Sequence, residues 1–405
     1  MARWSVIVVF ALLGAVTQVL WVTFAPVTDA ASSLYGVSDS AIGWLANVFP
    51  LLYVLLAIPA GMVLDRWFRG GLGLGAVLTA VGALLRLGDG YGWALFGQLV
   101  VGVAQPLVLN AITGVASRYL PPADRPTGIA IGSASTFAGL IVGFGLGAVF
   151  ASPDGIRSLL LVQAGLAVAV AVAVLAAMRK PAPDLALVGA GSSPAGGGSV
   201  GEPAAGGEPA SAGFGAVREA LRDPVIRRLC ALVFVPFGVF VSLTTFAQPL
   251  LEPAGVSEST AGLILVANVV AGVVGCAIVP VLASRHRVEV RVMGVALLVT
   301  ALACVALAVV PGVTVGFVAV IALGFALLPA LPIVLELTER RSGRAEGTAT
   351  GLIWLTGNLG GLVLAAVVGV LVAHPGPAFL LLAVLSLLTL PLLRLFRSSL
   401  SAIRR

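Results

Sequence analysis

Long apolar stretches separated by short polar punctuation run along the whole chain. Runs of spanning length occupy roughly 4–28, 41–64, 72–87, 92–117, 127–150, 158–178, 229–250, 259–283, 292–310, 315–335, 348–373 and 378–396. About 20 apolar residues, rising about 1.5 Å each, carry a helix across the hydrocarbon core. The pattern therefore predicts an all-α membrane protein with twelve transmembrane helices. It lacks the short alternating segments of a membrane β-barrel. The punctuation also repeats: Asp65-Arg66 interrupts two runs, and Ser284-Arg285 does so 219 residues later. The same offset carries Gly128, Ala130 and Gly132 onto Gly347, Ala349 and Gly351. Two pseudo-symmetric six-helix bundles are expected, at 1–178 and 228–397, joined by 179–227 and followed by a tail at 398–405. Such internal repeats place a substrate between the halves, which suggests a transporter.

Composition agrees, with 59% hydrophobic and 10% charged residues. Soluble domains hold roughly 45–50% and 25%. The net charge of +6 points away from nucleic acid once its distribution is read. With the N-terminus inside, Arg3, Arg66, Arg69, Arg118, Arg125, Arg179, Lys180 and the basic residues of 218–228, 285–291 and 340–344 all fall on the inner side, as do those of the C-terminal tail. Arg86 and Arg157 alone fall near the outer side. This asymmetry predicts a plasma-membrane protein with both termini cytoplasmic, the bilayer as its surroundings, and some attraction to anionic lipid heads. No nucleic-acid partner is expected, and the chain is read as a monomer. The Gly, Ala, Ser and Pro of about 189–213 cannot bury enough apolar surface to order, so the linker is expected to be largely disordered. For 216–228 two readings stand, a short helix on the inner membrane surface or the start of the seventh span.

Catalytic and metal chemistry finds little support. Cys230, Cys276 and Cys304 lie singly within apolar runs and read as small core residues. His286 and His374 sit far apart in an inner and an outer loop. No nucleophile and base, metal cluster or phosphate loop is expected, hence no enzyme, metal or cofactor.

The loop after the second run reads Gly61-Met62-Val63-Leu64-Asp65-Arg66-Trp67-Phe68-Arg69. It resembles the signature of the major facilitator superfamily, and the resemblance covers nearly the whole chain. Gly61 would let two helices approach closely. Asp65 would accept from the N-terminal N–H groups of a neighbouring helix, or pair with Arg66 or Arg69, and so hold one conformational state. Glu336, Glu339, Arg340 and Arg341 are candidates for the same inner latch; solvated loop charge is the alternative for all of these. Ser284 in place of an aspartate puts a second charge latch in doubt.

A narrower resemblance rests on Trp21 to Pro26, Tyr35-Gly36-Val37-Ser38, Ile42-Gly43-Trp44-Leu45, Gly97-Gln98, Val103-Ala104-Gln105-Pro106, Ala116-Ser117, Glu336-Leu337-Thr338 and Glu346-Gly347-Thr348. Together they resemble the family named after the feline leukaemia virus subgroup C receptor. Its members are associated with haem export and with choline and ethanolamine transport. The resemblance implies a facilitative carrier whose central site includes Trp21 and Gln105. Val241 stands where the family's seventh-helix Tyr aligns, and Asn358 stands where a second Gln aligns. A less aromatic, roomier pocket is implied, and quaternary-ammonium binding comes into question.

Counting along the helices is independent of that resemblance. Gln105 falls halfway between Tyr91 and Arg118, Asn358 in the middle third between Glu346 and His374, and Phe240 midway between Arg228 and Glu252. The repeat offset lays Trp21 on Phe240. These four are the candidate substrate residues. Each has a plainer reading: Trp21 as an interface anchor, Gln105 as a bond to carbonyls freed by Pro106, Asn358 as glue between helices, and Phe240 as packing. Trp44, Trp93 and Trp354 are read as packing or interface anchors. No ionisable side chain is placed mid-span, since Asp29, Arg86 and Glu336 lie near helix ends. Facilitated transport without an obligatory proton is the expectation. Alternatives are an exporter of amphipathic drugs or metabolites, an organic-anion carrier needing Arg86 or Arg157 in the cavity, and, more remotely, a receptor that moves nothing.

Overall fold

The computed structural model describes residues 3–150, 152–179, 214–256, 258–342 and 346–403. Twelve helices within them are long and apolar enough to cross a membrane. In chain order the helices are α1 (Trp4–Trp21), α2 (Thr28–Tyr35), α3 (Asp39–Arg66), α4 (Phe68–Leu85), α5 (Tyr91–Leu109), α6 (Ile112–Tyr119), α7 (Arg125–Val149) and α8 (Pro153–Met178). The second half holds α9 (Phe214–Arg222), α10 (Pro224–Leu251), α11 (Glu258–His286), α12 (Glu289–Val309), α13 (Val313–Leu327), α14 (Ala330–Ser342), α15 (Glu346–Val370) and α16 (Pro375–Ile403). No strand occurs among the described residues. Shifted by 219, the range of α3 becomes 258–285 and that of α7 becomes 344–368, within two residues of α11 and α15 at each end.

The repeat extends to interruptions that an apolar run does not display. The fourth span is two helices, α5 and α6, parted at 110–111; the tenth is α13 and α14, parted at 328–329. In the first half Asn110 fills the break: its Nδ2 donates to Ala57 O at 2.7 Å, and its Oδ1 accepts from Tyr53 OH at 2.6 Å. In the second half the equivalent residue is Pro329, which has no N–H to continue the helix ladder. The first span departs from the repeat. It stops being α-helical at Trp21, and a 3₁₀ turn over Ala25–Val27 leads into α2, whereas α10 runs unbroken to Leu251.

Close helix crossings rest on glycine. A side chain at Gly238 would meet Gly360 O at 2.7 Å, so α10 and α15 touch backbone to backbone. Without a hydrophobic drive between helices in lipid, such close packing supplies the cohesion. Cys230, Cys276 and Cys304 are free and buried in this packing. At the head of the second half, α9 is a separate short helix, and Asp223 accepts from the Val225 N–H at 2.7 Å to begin α10. The second bundle thus starts at Pro224, four residues before the expected boundary, and α16 runs to Ile403, beyond 397. Most of the expected linker, 180–213, lies outside the described residues.

Candidate functional site

The two halves meet tightly at the end carrying the repeated loops. A side chain on Gly61 of α3 would strike Gly347 O at 2.6 Å, and one on Gly347 would strike Gly61 O at 2.7 Å. Glycine is required on both sides of this crossing. Its closeness brings the Asp65 carboxylate to the first turn of α15. There Asp65 accepts from the N–H groups of Gly347 and Thr348, the latter at 2.9 Å, and from the Thr348 hydroxyl. An anion at a helix N-terminus satisfies orphan donors and faces the positive end of the helix dipole. Of the two sequence alternatives, the carboxylate takes the helix terminus rather than Arg66 or Arg69.

Two further cross-half links accompany it. Arg125 of α7 pairs with Glu339 of α14 at 2.7 Å, and the hydroxyls of Thr113 and Thr350 meet at 2.7 Å. Glu336 and Arg340, by contrast, bond within the second half. Arg340 pairs with Glu336, donates to Ser284 Oγ at 2.8 Å and reaches Glu289 at 3.3 Å, while Ser284 donates to Glu336 at 2.7 Å. Ser284 is therefore part of an ionic cluster that braces α11, α12 and α14 against one another.

The four candidate substrate residues lie on four helices, α1, α5, α10 and α15. Trp21 is half-buried, stacks on Phe49 at 6.3 Å and donates its indole N–H to Ala46 O at 3.0 Å. Gln105 is 4% exposed, and its amide forms no hydrogen bond among the described residues. Phe240 meets Phe137 of the other half edge-on at 6.0 Å. Both border a pocket of about 10 Å³ between the halves, room for about one water. Asn358 donates to Trp354 O at 2.8 Å, one turn back on its own helix. No hydrogen bond or ring contact joins any two of the four among the described residues.

The structure brings forward residues that the sequence reading passed over. Trp354 sits between Tyr53 of the first half at 6.1 Å and Phe237 at 6.2 Å, and its buried indole N–H has no partner among the described residues. A buried Trp N–H ordinarily finds an acceptor, so this one is conspicuous at the interface of the halves. Arg86 lies at the end of α4, where the sequence reading placed it, and is fully buried. Its guanidinium donates to Thr23 Oγ1 at 2.9 Å, Gln163 Oε1 at 2.9 Å, Gln98 Oε1 at 3.2 Å and Leu20 O at 3.4 Å. It caps the negative end of α1 where that helix stops, which offsets part of the cost of a cation without a carboxylate. A lone arginine at the end of an apolar run was the available signal.

The sequence profile of the Major Facilitator Superfamily matches residues 6–365. Solute carrier family 49 member A3 of Danio rerio is 29% identical over 374 residues, covering 88% of this chain and 76% of the relative. The choline/ethanolamine transporter FLVCR1 of Mus musculus is 30% identical over 147 residues, covering 35% of this chain and 26% of the relative. Among solved structures, the transporter FucP in its outward conformation superposes with a TM-score of 0.70 at 18% identity, covering 97% of this chain and 99% of FucP. Because the profile match runs through both repeats and the latch loops between them, the chain belongs to the Major Facilitator Superfamily and is a multi-pass membrane carrier of a small solute.

Proposed function

We propose that the protein moves a small choline- or ethanolamine-like organic solute across the plasma membrane by alternating access, with both termini cytoplasmic. Trp21, Gln105, Phe240 and Asn358 form its central site. Gly61 and Asp65 hold the cytoplasmic end shut, with Arg66 and Arg69 on the same turn and Glu336 and Arg340 bracing the second half. The carrying observation is the contrast between two glutamines about two turns apart on the same face of α5. Gln98 is committed, accepting from Arg86 and donating to Leu45 O at 3.0 Å. Gln105 is buried and uncommitted among the described residues. Polar side chains inside a span are almost always paired, so an amide that no protein group claims, five residues before the break between α5 and α6, supports a ligand partner. The relatives that transport choline and ethanolamine support the solute class. The organic-anion reading loses support: Arg86 is occupied and enclosed, and Arg157 is exposed and faces Asp89 at 3.6 Å.

Counterflow in proteoliposomes tests the proposal. Labelled choline or ethanolamine is expected to exchange through the wild-type protein, and Gln105→Ala to lower that exchange by up to about tenfold, the effect of a lost hydrogen bond to the solute hydroxyl. Exchange of neither compound would remove the proposed solute class. Unchanged exchange by both Gln105→Ala and Trp21→Ala would remove the site. Uptake strictly dependent on a pH gradient, at clamped membrane potential, would remove the expectation of proton-independent transport.

A further inference from the structure

The latch end of the first half carries an open pocket of about 810 Å³ that is separate from the space between the halves. Four arginines line it: Arg66 and Arg69 from the turn between α3 and α4, Arg118 from α6 and Arg179 from the end of α8. No carboxylate lines it among the described residues, and Arg66, Arg69 and Arg179 form no ion pair there. Arg118 is held in place, with its guanidinium 4.1 Å from the Phe68 ring centre and donating to Gly114 O at 3.2 Å. Tyr119 also lines the pocket; its residue is 1% exposed and its buried hydroxyl has no partner among the described residues. A phenol in that state lacks an acceptor, and the Arg66, Arg69 and Arg179 guanidinium groups have no ion-pair partner among the described residues. A phosphate meets both needs, since its oxygens accept from a hydroxyl and take paired N–H donors from arginine.

Position selects the source of that phosphate. The pocket lies where three spans end or begin, at Arg66, Phe68 and Met178, which is headgroup depth. Trp67 lines it and is 65% exposed, as an aromatic at the membrane interface would be. From this pocket α4 and α8 lead into the span with apolar side chains, among them Val77, Val81 and Val172, left on the outer surface for acyl chains. We infer that this pocket binds the headgroup phosphate of an anionic phospholipid. The choice of leaflet rests on the orientation proposed above; the pocket's chemistry does not.

The test uses the full chain in nanodiscs of phosphatidylcholine doped with phosphatidylglycerol, with retained lipid counted by native mass spectrometry. The triple variant Arg66→Gln, Arg69→Gln, Arg179→Gln is expected to lower phosphatidylglycerol retention about tenfold or more. The triple variant Arg285→Gln, Arg287→Gln, Arg291→Gln, which removes equal charge from the other half, should change it less than about twofold. Tyr119→Phe should weaken retention severalfold without lowering the lipid-free melting temperature, because it removes an unpaired hydroxyl. Equal losses in both triple variants would show a general field and overturn the site. So would full retention by the first triple variant or by Tyr119→Phe. Tight binding of glycerol 3-phosphate with no preference for phosphatidylglycerol would assign the pocket to a soluble phosphate and overturn the lipid. None of these readouts depends on the transported solute, so a failure of the choline-type proposal leaves the test intact.

Discussion

Asp65 and Ser284 occupy one position in two copies of the same loop, yet they hold different things together. Asp65 reaches across to α15 and joins the halves; Ser284 turns inward to Glu336 and braces its own half. The centre repeats the lesson. Gln105 of α5 corresponds to Gly324 of α13, and a side chain at Gly324 would collide with the backbone and carboxamide of Asn268 on α11. Asn268 is 2% exposed, and its Oδ1 has no partner among the described residues. An amide thus occupies comparable space in both halves but arrives from different helices. The duplicated scaffold is shared, while its polar chemistry is allotted anew in each copy.

The comparison breaks hardest at the glycine crossing. Gly61→Val would drive a side chain into the Gly347 backbone, and inner closure is expected to be lost with transport lowered more than about a hundredfold. At the corresponding place on α11 stands Pro280, and a side chain at Gly128, the counterpart of Gly347, would meet Leu120 and Ala116 of its own half, so Pro280→Ala should leave closure measured by spin-label distances unchanged. Next in size is Asp65→Ala, which strips three donors of one carboxylate. A population shift toward the inward-open state of about 2–4 kcal/mol is expected in the same distances. Ser284→Ala should move that equilibrium by less than about 1 kcal/mol, because its bonds do not cross the halves. If both substitutions shift it equally, the assignment of one latch to the first half fails.

Smaller effects sharpen the picture. Arg125→Gln leaves Glu339, which is 6% exposed at its side chain, without its partner, and inner closure should weaken by about 1–2 kcal/mol. Asn268→Ala should leave the ligand-free melting temperature unchanged or slightly raised, since it deletes an unsatisfied carbonyl. A clear fall in that temperature would make Asn268 a structural bond rather than the second half's spare amide.

Much of the fold was legible because each span must by itself supply a length of apolar surface, a property local to sequence. Gly61 with Asp65 was legible for a related reason: a repeated polar loop between apolar runs has few places to be. Trp354 was less so, because an indole in an apolar run looks alike whether it faces lipid or meets Tyr53 from the other half. The helix-end position of Arg86 was legible, but its burial was not. Its surroundings come from residues 20, 23, 98 and 163, and no local pattern announces that they converge.

The sequence by itself determined twelve spans, their duplication and the gathering of basic residues at one end of the spans. These follow from hydrophobic length and charge, which act residue by residue against the bilayer. Only the tertiary structure decided that Asp65 caps α15, that Arg125 and not Arg340 bridges the halves, and that four arginines face one pocket. Hydrogen bonds and ion pairs act over a few ångströms, so they are settled by which helices cross and at what rotation.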